Sequence, residues 1–133
     1  MEAADFRRRS DAFLDAWNRH NVEDVVASYT DPLVYRDPNT RGAIESHDAL
    51  RRYLTKLFER WEMRWSTGEV FPFESADGAA VTWHANFRLR AGQARVDVDG
   101  VDIIFLGDGK ITRDEVFFDR AVLAPLLAGQ TAY

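Results

Sequence analysis

The hydrophobic period of this chain changes once, near Met63, and that change limits the folds open to it. Before Met63 apolar residues recur at helical spacing; beyond it they alternate. Phe6, Phe13, Leu14 and Trp17 stand at i, i+7, i+8 and i+11, one stripe of an amphipathic helix from about Ala4 to Arg19. Asn21 is placed to cap a second, short helix carrying Val22, Val25, Val26 and Tyr29, which ends before Asp31-Pro32. Ser46 reads as the cap of a third, with the unbroken stripe Leu50, Tyr53, Leu54, Leu57, Phe58 and Trp61. Beyond it, Val70-Phe71-Pro72-Phe73 reads as an edge or bulged strand, because proline cannot donate to a ladder. Val81, Trp83, Ala85, Phe87 and Leu89 alternate with Thr82, His84, Asn86, Arg88 and Arg90, a half-buried strand with its polar face outward. Turns at Asp77-Gly78, Ala91-Gly92-Gln93 and Gly107-Asp108-Gly109 separate it from strands at Arg95–Leu106, kinked at Gly100, and Ile111–Phe118. A short helix over Ala121–Leu127, disturbed by Pro125, closes the chain. The order α-α-β-α-β-β-β-β predicts an α+β fold rather than a βαβ one. A length of 133 residues suits one domain over 1–133.

Charge and composition narrow the partners. The formal net charge is −5, which disfavours nucleic acid and anionic membrane surfaces, since both call for clustered Lys and Arg. The one basic run, Arg7-Arg8-Arg9, is followed by Asp11 and Asp15 at helical spacing and reads as a solvated helix face. With no cysteine and three scattered histidines there is no thiol nucleophile, and no ligand cluster has metal spacing; no cofactor is expected. His84 has outward parity, and His20 and His47 read as surface residues at helix boundaries. The acidic N-terminus lacks a signal-peptide core and no apolar run approaches membrane length, so a soluble cytoplasmic protein is expected. Nine Phe and four Trp are enough large rings to line a cavity as well as fill a core.

The segment Asp31-Pro32-Leu33-Val34-Tyr35-Arg36-Asp37-Pro38 reads as a short strand closed by proline, with Leu33, Tyr35 and Asp37 on one face. A carboxylate on that apolar face either meets solvent at a rim or is held in a pocket for chemistry. Asp37 before Pro38 also suits the start of a turn. Asp102 lies inside the apolar run Val101–Phe105, where a charge without a partner is expensive. Its alternatives are pairing with an arginine or exposure at a sheet edge.

The first helix ends Ala16-Trp17-Asn18-Arg19-His20-Asn21 and the short second one Ala27-Ser28-Tyr29; Leu33–Pro38, the helix Asp48–Leu54 and Val101–Ile111 follow. Together these pieces resemble the SnoaL-like and ketosteroid-isomerase-like branch of the nuclear transport factor two superfamily, and the resemblance runs from about Phe6 to Leu127. It implies a curved antiparallel sheet wrapped around a long helix, a cone-shaped α+β barrel with an apolar cavity, commonly in a homodimer. It implies a general-base role for Asp37 and a protonated, oxygen-binding role for Asp102. Tyr53 would support that network, and Asp119 falls near an acid/base aspartate of the cyclases. The chain departs from the pattern at Phe13, where an oxyanion-hole tyrosine is expected; one such donor is worth about 100- to 1000-fold in rate.

These residues suit proton transfer beside a carbonyl: a base takes the proton and a donor steadies the charge on oxygen. The expected function is a small cofactor-independent enzyme catalysing isomerisation or aldol-type cyclisation of a hydrophobic carbonyl compound, steroid- or polyketide-like. Phe13, Trp17, Tyr35, Trp83, Phe87, Ile104 and Phe118 are the expected substrate-binding residues. A non-catalytic binding or assembly module is the alternative. An epoxide hydrolase is a further one, requiring Arg36 or Arg113 to point inward between two aspartates. Dimerisation is expected through the outer sheet face, near Trp65 and His84.

Overall fold

The computed structural model describes residues 2–131. Helix α1 spans Ala3–Asn18 and buries Phe6, Phe13 and Trp17 of the stripe its spacing predicts, with Leu14 half-buried and Ser10 and Ala16 buried beside them. Helix α2, Val22–Ala27, is capped by Asn21, whose side chain accepts from the Asp24 N–H at 3.0 Å. Strand β1, Tyr29–Arg36, follows. Tyr29 therefore opens a strand rather than closing a helix, because it pairs with Ile111 across the sheet.

Ser46 caps helix α3, His47–Arg60, through the Ala49 N–H at 3.1 Å. Leu50 and Leu54 on α3 are fully buried, each side chain contributing about 1.5–3 kcal/mol of transfer free energy. Trp61 begins strand β2, Trp61–Pro72, instead of extending the α3 stripe. Strands β3, Gly78–Leu89, β4, Arg95–Gly107, and β5, Lys110–Phe117, complete the sheet. Asp108 and Gly109, with φ of 53° and 78°, make the β4–β5 turn, the left-handed geometry that Asp-Gly tolerates.

The strand order is β1-β5-β4-β3-β2. Neighbours from β2 to β5 are antiparallel, but β1 runs parallel to β5, so the curved sheet is mixed rather than wholly antiparallel as expected. Helix α3 carries the chain from one edge of the sheet to the other, which is how β1 comes to lie beside β5. β2 is an edge strand, with its register broken between Thr67 and Val70 and Pro72 at its end, where a missing N–H is harmless. After β5 a 3-10 turn, Arg120–Leu123, leads into helix α4, Ala124–Thr131. Pro125 is the second residue of α4, in the first turn where no N–H partner is needed, and so does not disturb it.

The core lies between the inner sheet face and the helices. Val81, Trp83, Ala85, Phe87 and Leu89 all point into it, as their alternation predicts. Two basic residues of α1 do more than meet solvent. Arg7 donates to the Gly68 carbonyl at 2.6 Å and Arg9 to the Gly109 carbonyl at 3.0 Å, tying α1 to the register break of the strand that follows α3 and to the turn at Asp108-Gly109. His20 and His47 are half-buried rather than surface residues. His20 Nε2 accepts from the Met63 N–H at 3.1 Å, and burial, with Arg90 nearby, lowers its pKa. His47 Nε2 lies 2.9 Å from the Tyr29 carbonyl. His84 is exposed on the outer face, where Asp99 at 2.9 Å raises its pKa. Among the described residues no helix is long and apolar enough to cross a membrane.

Candidate active site

A cavity lies between the inner sheet face and helices α1 and α3. All four tryptophans, Trp17, Trp61, Trp65 and Trp83, contribute to its wall. Phe13, Tyr35, Phe87 and Phe118 also line it, so six of the seven residues named from sequence meet there. Ile104 does not: it is buried beside Ala79, one pleat repeat beyond Asp102 on the same strand. Trp65, expected on the outer face, belongs to the wall because it shares the parity of Trp61 and Met63 on β2. The cavity measures about 50 Å³, several times the ~10–15 Å³ that a single water requires. It is not plugged by its own side chains. It is narrow, so a ring-bearing ligand must displace side chains at its edge.

The lining is apolar except for Asp37, Asn39, Asp102 and the polar tips of the aromatics, and among the described residues no cationic side chain belongs to it. Asp37 follows the end of β1. Its Oδ1 accepts from the backbone N–H groups of Asn39 at 2.7 Å and Thr40 at 3.1 Å, so it does start a turn. Its Oδ2 accepts from the Tyr35 hydroxyl at 2.7 Å and from the Tyr53 hydroxyl, which α3 presents. Four donors on two oxygens match the acceptor set of an ionised carboxylate. Burial, reinforced by the Asp37 charge, raises the pKa values of Tyr35 and Tyr53, which keeps both hydroxyls as donors.

Asp102 has different surroundings. Its Oδ1 accepts from the Trp83 indole N–H at 2.7 Å. The indole reaches it by crossing Gly100, which faces Trp83 in the β3–β4 register. A Cβ at Gly100 would lie 2.2 Å from the ring, so glycine is what lets the ring lie there. The second neighbour of Asp102 is another acid, Asp114 on β5, two residues from the register partner Val116 and on the same face. Asp114 is 1% exposed. Its Oδ2 accepts from the Tyr29 hydroxyl at 2.6 Å, while its Oδ1 is buried with no N–H or hydroxyl donor among the described residues. The donor available to it is the carboxyl proton of Asp102. Burial raises both acids, Asp102 well above the ordinary carboxylate range, and the Asp114 charge pushes Asp102 further. Burial therefore favours the protonated form in this acid pair, most strongly at Asp102, and the alternative of an arginine partner for Asp102 is not met among the described residues.

The remaining residues named from sequence fall elsewhere. Asp119 is exposed and accepts from the Ala121 N–H at 2.9 Å, capping the 3-10 turn outside the cavity lining. Arg36 is exposed, and Arg113 is on the outer face with Glu115 at 3.0 Å, so neither stands between the aspartates. Among the described residues no group of three or more His, Cys, Asp or Glu side chains could hold a metal ion. Sequence reasoning missed Asp114 and Tyr29. Counting back by twos from Phe118 gives Val116 and Asp114, and that signal would have found the acid.

Among curated proteins, none matches this sequence. Solved structures with the same fold include an M. tuberculosis LEH-like epoxide hydrolase, 21% identical, covering 99% of this chain and 96% of that one, TM-score 0.76. The epoxide hydrolase/cyclase-like enzyme SalBIII, described in pyran ring formation in polyether salinomycin, is 22% identical over 91% and 96%, TM-score 0.77. A ketosteroid isomerase-like protein from Erwinia carotovora atroseptica is 25% identical over 88% and 95%, TM-score 0.69. The sequence profile of the SnoaL-like domain matches residues 11–114, a stretch that contains Asp37, Tyr53, Asp102 and Asp114. By that match the chain belongs to the SnoaL-like domain family.

Proposed function

We propose that this protein is a cofactor-independent enzyme that moves protons on a hydrophobic molecule carrying a carbonyl group. One observation carries the reading. Two carboxyls face the same apolar cavity with opposite hydrogen-bond surroundings: Asp37 receives four donors, whereas Asp102 lies against the buried acid Asp114. A carbonyl oxygen placed against Asp102 accepts its proton or a strong hydrogen bond. A C–H beside that carbonyl, placed against Asp37, gives up its proton to Oδ2 as a tyrosine hydroxyl turns aside. The C–H electron pair moves to the enol, and the Asp102 proton balances the charge on oxygen. Return of the proton to another carbon is isomerisation; attack of the enol carbon on a second carbonyl is aldol-type cyclisation.

Neither outcome requires a tyrosine at Phe13, because the Asp102–Asp114 pair supplies an oxygen-binding donor. A binding module needs no such pair. Epoxide-hydrolase chemistry needs an arginine between the aspartates, and the cavity lining has none, which weighs against it. We also propose a homodimer in which a second copy covers the outer sheet face, where Phe71 and Phe117 are 52% and 53% exposed; sedimentation of the full chain tests it.

The catalytic test is exchange of α-protons in heavy water, followed by NMR over a panel of apolar enones. Wild type should exchange one class well above buffer. Asp37→Asn should lose about 100- to 10,000-fold and Asp102→Asn about 100- to 1000-fold. Exchange at the wild-type rate in both variants, or none in wild type across the panel, overturns the reading.

A further inference from the structure

A second space adjoins the cavity and shares Asn39, Leu57, Trp61 and Leu123 with it. It is a surface groove of about 310 Å³, wider than the cavity itself. Its charged lining is of one sign: Lys56 and Arg60 from α3 and Arg120 from the 3-10 turn, with no carboxylate among the lining residues. Among the described residues none of the three forms an ion pair, whereas Arg8, Arg19, Arg51, Arg64, Arg95 and Arg113 all do. In a chain of net charge −5, three unpaired cations around one groove stand against the overall balance. Arg120 is held in place: its Nε donates to Asn39 Oδ1 at 2.8 Å, and Asn39 itself borders the cavity. That bond leaves the terminal guanidinium nitrogens without a partner among the described residues, the fork that grips a carboxylate or phosphate. Arg60 lies over the Trp61 ring, 5.9 Å from its centre, on the wall that both spaces share.

The cavity and groove together have the polarity of an elongated ligand with two unlike ends. The slender apolar part meets the buried acids. The wider part lies in the groove, where an anion would find three cations and no carboxylate in the wall. An anionic centre placed in the cavity instead would face Asp37 and the Asp102–Asp114 pair with no cation in the lining. We propose that this groove binds an anionic group, carboxylate or phosphate, attached to the apolar molecule whose other end enters the cavity, through Lys56, Arg60 and Arg120. This rests on the cavity being a ligand site and adds the class of ligand: amphipathic anions rather than neutral hydrocarbons.

The test uses the full chain and two probes of one shape, phenylbutyrate and its neutral amide. Because all four indoles belong to the cavity wall, their N–H signals in proton–nitrogen NMR report occupancy directly. At low salt the acid should bind about tenfold tighter than the amide, an advantage that shrinks as salt screens the cations. The combined variant Lys56→Gln, Arg60→Gln and Arg120→Gln should abolish the advantage, with the loss confined to the acid. The salt dependence in wild type makes the same distinction without any variant. Equal affinities in wild type, equal losses for both probes in the variant, or an advantage that survives in it would overturn the proposal while α-proton exchange stands. Failure of both probes to move any indole signal would overturn the groove and the cavity as ligand sites together.

Discussion

Replacing Gly100 by alanine tests how the wall of the candidate site is built. The new Cβ would sit 2.2 Å from Trp83 Cζ2, 2.6 Å from Cη2 and 2.7 Å from the Phe117 carbonyl oxygen. Ordinary contact begins near 3.4 Å, so the ring has to retreat by more than 1 Å. Backbone blocks one side, and the ring is hemmed by Trp65 and Phe118, whose centroids lie 6.4 and 5.9 Å away. Overpacking of this kind costs about 1–3 kcal/mol. Loss of the Trp83–Asp102 bond adds about 0.5–1.5 kcal/mol, and the stiffer unfolded chain returns about 0.4–1 kcal/mol. The net is a loss of about 0.5–4 kcal/mol, or a melting temperature lower by about 2–16 °C for a domain of this size. Losing the indole donor also raises the Asp102 pKa further, since that bond favours the charged form. Thermal unfolding followed by circular dichroism reads the first effect, and indole fluorescence reads the displaced ring. Gly92→Ala is the control: its Cβ would meet nothing closer than 3.7 Å. A Gly100→Ala protein as stable as the Gly92→Ala protein would refute the account of how Trp83 reaches Asp102.

Two further substitutions separate the roles assigned to acids. The folded-state pKa values of Asp102 and Asp114 are raised, so their favourable contribution is complete below the unfolded value of about 3.9 and is lost as pH rises through the raised values. Asp114→Asn removes one raised acid and the charge that elevates the other, so urea unfolding across a pH series should show a shallower fall with rising pH; a steeper fall contradicts the shared proton. Asp119→Ala removes a cap and nothing in the cavity, so it should cost about 0.5–2 kcal/mol at most in the same unfolding assay and leave α-proton exchange unchanged. A large loss of exchange at preserved stability would return Asp119 to the site.

What could be read from sequence follows from where each signal is local. Asp37 falls just past a strand and Tyr53 lies on a regular helical stripe, so period alone gives the face on which each lies. Trp83, Phe87 and Asp102 follow from simple alternation. Asp114 was hidden by a register shift between Phe105 and Leu106. Counting forward from the buried Ile111 puts Arg113 and Glu115 on the inner face and Asp114 outside; only the count back from Phe118 has the right parity. Tyr29 and Trp61 were lost at element junctions. Each fits the helical spacing behind it, yet each is claimed by strand pairing, to Ile111 and Leu89, that no local pattern announces. The parallel placement of β1 is likewise a long-range outcome of the α3 crossover. The groove cations were unreadable because Lys56, Arg60 and Arg120 come together only when α3 and the 3-10 turn meet beside Asn39.

The three acids have an order imposed by their neighbours. Asp37 is satisfied by donors from β1, α3 and its own turn, so a proton there would disrupt existing bonds. Asp114 is satisfied on one oxygen by Tyr29 and on the other only if Asp102 keeps its proton. Asp102 has a single N–H donor and borders the cavity. Ionising it would place two negative charges side by side with no cation in the lining, where low polarity magnifies their repulsion. Among these acids the surroundings favour a proton most strongly on Asp102, which borders the cavity, while Asp37 already accepts from four donors. Such a pair is a liability to the fold, because apolar side chains of similar size in the same places would be as stable or more so. For a container alone that liability has no use. In the proposed reaction, which protonates an oxygen while removing a hydrogen from carbon, the unequal acids would be the working parts, with Gly100 and Tyr29 the residues that keep them unequal.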